Sequence, residues 1–137
     1  MSTEFLVAVV GAGLAVLGMI SFIARRTSRK GLNRDYFQAK WKELQKGLNK
    51  EEAWPMAIIQ ADNLLNEALK KKKFKGKTMG ERLVSAQKSL TDNDGAWFGH
   101  KLRNKIVHEV DIKITKKEVQ KSLVGIRQAL RDLGALK

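Results

Sequence analysis

The sequence predicts an all-α protein: one N-terminal transmembrane helix followed by an up-and-down bundle of four to five helices. Residues 5–24 form an uncharged apolar run, and about 20 such residues cross the hydrocarbon core of a membrane as a helix. Downstream, apolar residues recur at three- and four-residue steps, which is typical of amphipathic helices. We therefore divide the chain into an anchor (1–24), a basic juxtamembrane linker (25–33) and a helical bundle (34–137).

The charges on either side of the apolar run predict its orientation. Arg25, Arg26, Arg29 and Lys30 come directly after it, whereas only Glu4 precedes it. The positive-inside rule then places the bundle in the cytoplasm, as a single-pass protein of the cytoplasmic (inner) membrane. The alternative is a cleaved signal peptide, but such peptides carry their positive charge before the apolar stretch and small residues before the cleavage site.

Five helical segments follow the linker, the third of them short. Asn49, Thr78 and Thr115 each precede a Glu by three residues, and this pattern predicts a capping box at a helix start. Gly134 predicts the end of the last helix. Residues 91–95 read as a turn by composition. The segments are expected at about 34–48, 49–71, 78–90, 96–110 and 115–133.

The chain is strongly basic, with 27 Lys and Arg against 14 Asp and Glu and a net charge of +13. A surplus of this size attracts anions, so RNA, an anionic membrane surface and acidic proteins are the candidate partners. The other interpretation is a solvated surface that keeps the protein soluble. Charge alone does not choose among these.

A lysine-rich connector separates the second and third predicted helices. Three interpretations of this connector compete. It contacts RNA phosphates beside a stacking Phe74, or it lies on the anionic cytoplasmic leaflet of the membrane. In the third, it is a solvated loop whose positive charges interact favourably with the C-terminal end of the preceding helix. The candidate nucleic-acid-binding or lipid-binding residues are Lys70, Lys71, Lys72, Lys73, Lys75 and Lys77, together with Lys101 of the fourth helix.

The fourth predicted helix carries both histidines of the chain. At about 100° per residue, one stripe is apolar, and His100, Asn104 and His108 form a second stripe on the opposite side. Trp97 falls near this second stripe. We therefore expect the polar stripe to face solvent, with Trp97 and His100 as a candidate dimer face, unless the two histidines share that face by chance. The apolar stripe consists of Phe98, Leu102, Ile106 and Val110.

Metal and cofactor sites are not predicted. His100 and His108 lie about 12 Å apart along a helix axis, which is too far for two ligands that must each approach one Zn²⁺ to about 2 Å. The chain has no cysteine, and it contains no glycine-rich phosphate loop. The sequence therefore predicts neither a metal site nor a cofactor.

Residues 102–109, LRNKIVHE, resemble the signature of the HEPN superfamily (higher eukaryotes and prokaryotes nucleotide-binding domains). Arg103, Asn104 and His108 match that signature, an Arg followed by a polar residue and then a His on a late helix of a four- or five-helix bundle. The resemblance covers about residues 34–136, mostly through helix order and the position of the motif.

The resemblance implies RNA as a partner and a metal-independent endoribonuclease that works as a homodimer. It implies that His108 exchanges protons with ribose oxygens, that Arg103 holds the phosphate, and that Asn104 orients the imidazole or binds the phosphate. Arg103 and His108 diverge by about 140° on one helix, so they meet best across a dimer. The alternative function is a non-catalytic helical module on the membrane that binds a protein partner or a second copy.

Overall fold

The computed structural model describes residues 2–28 and 31–137, which form two compact units that divide between positions 30 and 31. Helix α1, Thr3–Ser28, is the whole of the first unit's regular structure. Its window Thr3–Ile20 is long and apolar enough to span a membrane, and none of that window is buried. Helix α1 continues to Ser28, so residues 25–28 of the predicted linker are helical, and its residues 29 and 30 lie outside the described residues.

The second unit is an all-helical bundle, and no strand occurs in the parts of the chain that the structure describes. This confirms the predicted all-α class. Two short 3₁₀ helices, Glu51–Ala53 and Gln87–Ser89, accompany the α-helices. The α-helices of the bundle are α2 (Arg34–Gln45), α3 (Trp54–Lys71), α4 (Met79–Ala86), α5 (Asn93–His108) and α6 (Lys116–Asp132).

Helix α3 is the centre of the bundle and contacts α2, α4, α5 and α6. Its apolar positions recur at three- and four-residue steps, so one broad face is buried along the whole helix. Side chains from every other α-helix of the unit pack against this face and complete the core, among them Phe37, Leu83, Ile126 and Leu130. Burial of this apolar surface is the main term that holds the bundle together.

Capping explains where most helices begin and end. Thr78 and Glu81 form a capping box at α4, and Thr115 and Glu118 form one at α6, as predicted. Gly134 adopts a φ of 82° after α6, which places it where a left-handed residue ends a helix. These local signals are short-range and readable in the sequence.

Two predicted helix starts are wrong. Asn49 and Glu52 form no capping box, because a 3₁₀ helix occupies 51–53 and α3 starts only at Trp54, with Pro55 in its first turn. Helix α5 begins at Asn93 instead of near position 96. The side chain of Asp92 accepts a hydrogen bond from the backbone N–H of Gly95, so residues 93–95 of the expected turn belong to the first turn of the helix.

Helices α5 and α6 run antiparallel and approach closely through glycines. Thr91 bonds to Asp132, Gly95 lies against Gly125, and Gly99 lies against Ile126. A Cβ atom on Gly125 would overlap the backbone of Gly95, so only glycine permits this separation of the two helices.

Candidate functional site

A buried carboxylate lies in a cleft that is lined mainly by polar and charged side chains. Asp62 is 2% exposed and belongs to the core-facing side of α3, four residues after Ile58 and three before Leu65. A carboxylate at such a position is costly unless it is paired. The pairing partner comes from α5: His100 Nδ1 lies 3.1 Å from Asp62 Oδ1 and 3.2 Å from Oδ2.

His100 is 9% exposed, so the prediction that it faces solvent is wrong. Large apolar residues define only part of the buried surface of α5. The small residues Gly95, Ala96 and Gly99 are also buried, because α5 packs against both α6 and α3. Those contacts turn His100 toward α3 and leave Val110 exposed. Trp97, expected beside His100 on a dimer face, is half-buried, with its ring edge-on to the imidazole at 5.8 Å.

Four side chains form a closed polar ring on α3 and α5. The Arg103 guanidinium donates from Nη1 to Asn104 Oδ1 at 3.1 Å. The Asn104 amide nitrogen lies 3.5 Å from His100 Nε2, and Arg103 Nε lies 3.7 Å from Asp62 Oδ2. The imidazole donates Nδ1–H to the carboxylate, which leaves Nε2 as the ring atom that faces Asn104. The Arg103 Nε atom is buried and has no hydrogen-bond partner among the described residues.

The ring forms one wall of a cleft of about 540 Å³, within the range of small-ligand sites. Three further cations line the cleft, beside Asn66 and Thr78: Lys70 at the end of α3, Lys77 of the connector, and Arg82 of α4. With Arg103, four basic side chains line the cleft together with the single carboxylate of Asp62. The cleft is therefore suited to an anion whose charge spreads over several oxygens.

The cationic rim is held in place by local contacts. Arg82 Nη1 donates to Asn66 Oδ1 at 3.0 Å. Gly76 has a φ of 155°, and a Cβ there would lie 2.7 Å from the backbone nitrogen of Arg82, so glycine lets the connector lie directly on α4. The backbone N–H groups of Lys77 and Thr78 both donate to the Glu81 carboxylate. These contacts fix where Lys77 and Arg82 stand relative to the cleft.

The connector lysines divide into two groups. Lys70 and Lys77 line the cleft. Lys71 instead pairs with Glu67 at 3.3 Å and lies over the rings of Tyr36 and Phe37. Lys73 and Lys75 are exposed and do not line the cleft, Lys72 is half-buried, and Phe74 packs against the core. Lys101 is exposed on α5 and lines a different groove, next to Trp97 and Phe98.

The three residues of the LRNKIVHE motif are not all at the same place. Arg103 and Asn104 are half-buried and line the cleft, whereas His108 is the last residue of α5, is exposed and does not line it. Within one copy, the imidazole at the cleft is therefore that of His100. No group of three or more His, Asp or Glu residues in the described ranges is arranged to hold a metal ion.

Sequence reasoning missed Asp62, Asn66 and Arg82. Asp62 carried a readable signal, because it stands in register with Ile58, Leu65 and Leu69 on the buried side of α3. A carboxylate in an apolar stripe requires a partner, and His100 and Arg103 were available. Arg82 and Asn66 carried no such signal, since their meeting depends on how α4 packs on α3.

No protein-family model matches the chain, and no curated protein or solved structure shows significant similarity to it. The resemblance to the HEPN superfamily therefore stays a prediction from the sequence motif.

Proposed function

We propose that this protein binds single-stranded RNA at the cytoplasmic face of the inner membrane and cleaves it without a metal ion when two copies associate. The observation that supports RNA binding best is the cleft, in which Arg103 and Asn104 of the motif converge with Lys70, Lys77 and Arg82. Phosphate contacts by Arg and Lys supply most of the affinity of nucleic-acid binding proteins. The net charge of +13 acts in the same direction over longer distances.

Membrane attachment follows from α1 in this proposal. The helix has the length and apolarity of a membrane span, and the basic residues that follow the apolar run favour a cytoplasmic bundle. The signal-peptide alternative makes a different prediction for the mass of the mature protein. Intact mass spectrometry of the protein from the membrane fraction should return the full chain, whereas loss of the first 20 to 30 residues would contradict anchoring.

Cleavage requires one group that removes the proton from the ribose 2′-hydroxyl and one that protonates the departing 5′-oxygen. In a two-fold dimer, two copies of His108 supply both: one imidazole takes the 2′-proton as that oxygen attacks phosphorus, and the other gives a proton as the P–O5′ bond breaks. Arg103 and Asn104 hold the non-bridging oxygens. The products are a 2′,3′-cyclic phosphate and a free 5′-hydroxyl.

An assay with the full-length protein in detergent micelles tests this reaction. End-labelled RNA in the presence of EDTA should yield cyclic-phosphate ends, at a rate that rises more steeply than the first power of protein concentration. His108→Ala should abolish cleavage while helical circular dichroism stays unchanged. RNA that stays intact at every protein concentration at which dimers form would remove the enzymatic part of the proposal.

The second candidate function is a non-catalytic interaction module on the membrane. It is favoured by the two exposed valines near His108, since Val107 is 48% exposed and Val110 is 88% exposed. Apolar side chains at the end of α5 suit contact with a second copy or a protein partner. Dimers that bind RNA weakly and leave it intact would favour this function over the ribonuclease.

A further inference from the structure

Neither the LRNKIVHE motif nor the lysine-rich connector contains Asp62 or His100. His100 lies eight positions before His108, and Asp62 lies in a different helix. Both line the cleft. Because Nδ1 is committed to Asp62, the other ring nitrogen is available to a ligand, and its present neighbour, Asn104, lies at the outer limit of a hydrogen bond at 3.5 Å.

We propose that the cleft is a phosphate-binding site in which protonated His100, held by Asp62, donates its Nε2 proton to a phosphate oxygen while Arg82 and Arg103 contact the others. The ligand class is a phosphate group, either within an RNA strand or as a free phosphate. This site extends the proposed RNA-binding function. It depends on that function only where the bound phosphate belongs to an RNA strand. It assigns Asp62 the role of a positioning residue, since Asp62 acts through the imidazole.

Charged side chains from α3, the connector, α4 and α5 itself favour this arrangement, and α6 contributes no residue to the cleft lining. Helix α3 contributes Asp62 and Lys70, the connector contributes Lys77, α4 contributes Arg82, and α5 itself contributes Arg103. An anion bound among these cations attracts a proton to His100, and Asp62 offsets the resulting charge on the ring from its other side. Phosphate binding should therefore be coupled to proton uptake at His100.

The imidazole nitrogens can be observed directly, because the chain contains only two histidines. Full-length protein labelled with ¹⁵N-histidine in uncharged micelles is titrated at neutral pH with inorganic phosphate and, separately, with uncleavable 2′-O-methyl RNA. The His108→Asn variant assigns the two signals. We expect phosphate to raise the protonated fraction of His100 and to leave His108 unchanged.

Variants separate this site from general attraction of anions. Arg82→Gln should weaken phosphate binding about tenfold, the scale of one charge-assisted hydrogen bond, while Arg131→Gln, an exposed charge on α6 outside the cleft, should change it less than about twofold. Asp62→Asn is the sharper test. If the cleft attracted anions by charge alone, removing a carboxylate would strengthen binding; we expect it to weaken binding and to abolish the His100 response.

The outcomes distinguish this site from the RNA function. A His100 response to inorganic phosphate but not to RNA would keep the site and count against RNA as its ligand. RNA binding with a silent His100 in both titrations would overturn the site and leave the RNA function standing. Equal losses in Arg82→Gln and Arg131→Gln would also overturn it, even if Asp62→Asn fails to fold.

Discussion

Asp62 and His100 are 38 positions apart in the chain, and the imidazole Nδ1 lies 3.1 Å from the carboxylate Oδ1 where α3 meets α5. The pair is buried, and it joins the two helices at the only point in the described chain where a buried acidic side chain and a buried histidine meet. The pair therefore contributes to the packing of the two helices and also lines the cleft that we propose as a phosphate-binding site.

Removal of the carboxylate should destabilise the bundle. Asp62→Ala leaves the imidazole and the buried Arg103 Nε without an anionic neighbour, so we expect a loss of about 2–4 kcal/mol in the free energy of unfolding. Asp62→Asn retains an oxygen that accepts the Nδ1–H hydrogen bond and should lose less. Urea unfolding followed by tryptophan fluorescence measures both, since all three tryptophans lie in the bundle. A change below about 0.5 kcal/mol for the alanine variant would contradict a structural role for the pair.

The close approach of glycines between α5 and α6 gives a second stability prediction. Gly125→Ala places a methyl group where the Gly95 backbone lies, so the helices must separate, at a cost of about 1–3 kcal/mol. Val124→Ala changes the adjacent, 67% exposed residue and is the matched control, expected to stay within about 0.5 kcal/mol. Equal unfolding midpoints for the two variants would mean that α6 is not packed this closely.

The pKa of Asp132 predicts part of the stability loss in acid. Burial would raise the pKa of this carboxyl, but hydrogen bonds from Thr91 and Gln128 and the charge of Arg131 outweigh burial and hold it below the ordinary 3.8. A lowered pKa in the folded state stabilises the protein above the unfolded value, and this stabilisation disappears as pH falls through the folded value. Asp132→Asn should therefore make the free energy of unfolding less dependent on pH below about pH 4. A pH dependence identical to that of the wild type would contradict these contacts.

The division of the connector lysines predicts how salt affects RNA binding. Lys70→Gln with Lys77→Gln should lower the slope of log K against log salt by about 0.7 for each RNA phosphate that the protein no longer neutralises. The matched pair Lys73→Gln with Lys75→Gln removes the same charge outside the cleft and should leave the slope nearly unchanged. Equal effects of the two pairs on RNA, together with equally weakened binding to anionic lipid vesicles, would favour a membrane-surface role for the whole connector.

Local signals in the sequence were sufficient to predict the all-α fold class and most of the helix boundaries. The apolar run of α1, the stripe of α3 and the capping boxes at Thr78 and Thr115 each depend on residues within a few positions of one another. Asn49 resembles those caps in sequence, but a 3₁₀ helix occupies 51–53, and α3 begins only at Trp54, with Pro55 in its first turn.

The site was only partly predictable, for a physical reason that His100 illustrates. The large aliphatic residues of α5 lie on the opposite side from His100, so periodicity places it toward solvent, yet α5 packs against both α6 and α3, and His100 lies on the side that meets α3. Arg103 and Asn104 were found through a motif, whereas Arg82 joins them only through the packing of α4 on α3. Packing between distant elements of this kind leaves no local pattern.

The central claim is that the cleft binds RNA. The RNA affinity of Arg103→Gln, compared with that of Arg131→Gln, tests this claim most directly. Full-length protein in micelles is titrated into fluorescent single-stranded 2′-O-methyl RNA at two salt concentrations, with circular dichroism as the check on folding. We expect Arg103→Gln to bind at least about tenfold more weakly, because our proposal assigns its guanidinium a phosphate contact in the cleft, and Arg131→Gln to bind within about twofold of the wild type. Equal affinities for the two folded variants, or a wild-type protein that binds no RNA, would contradict it.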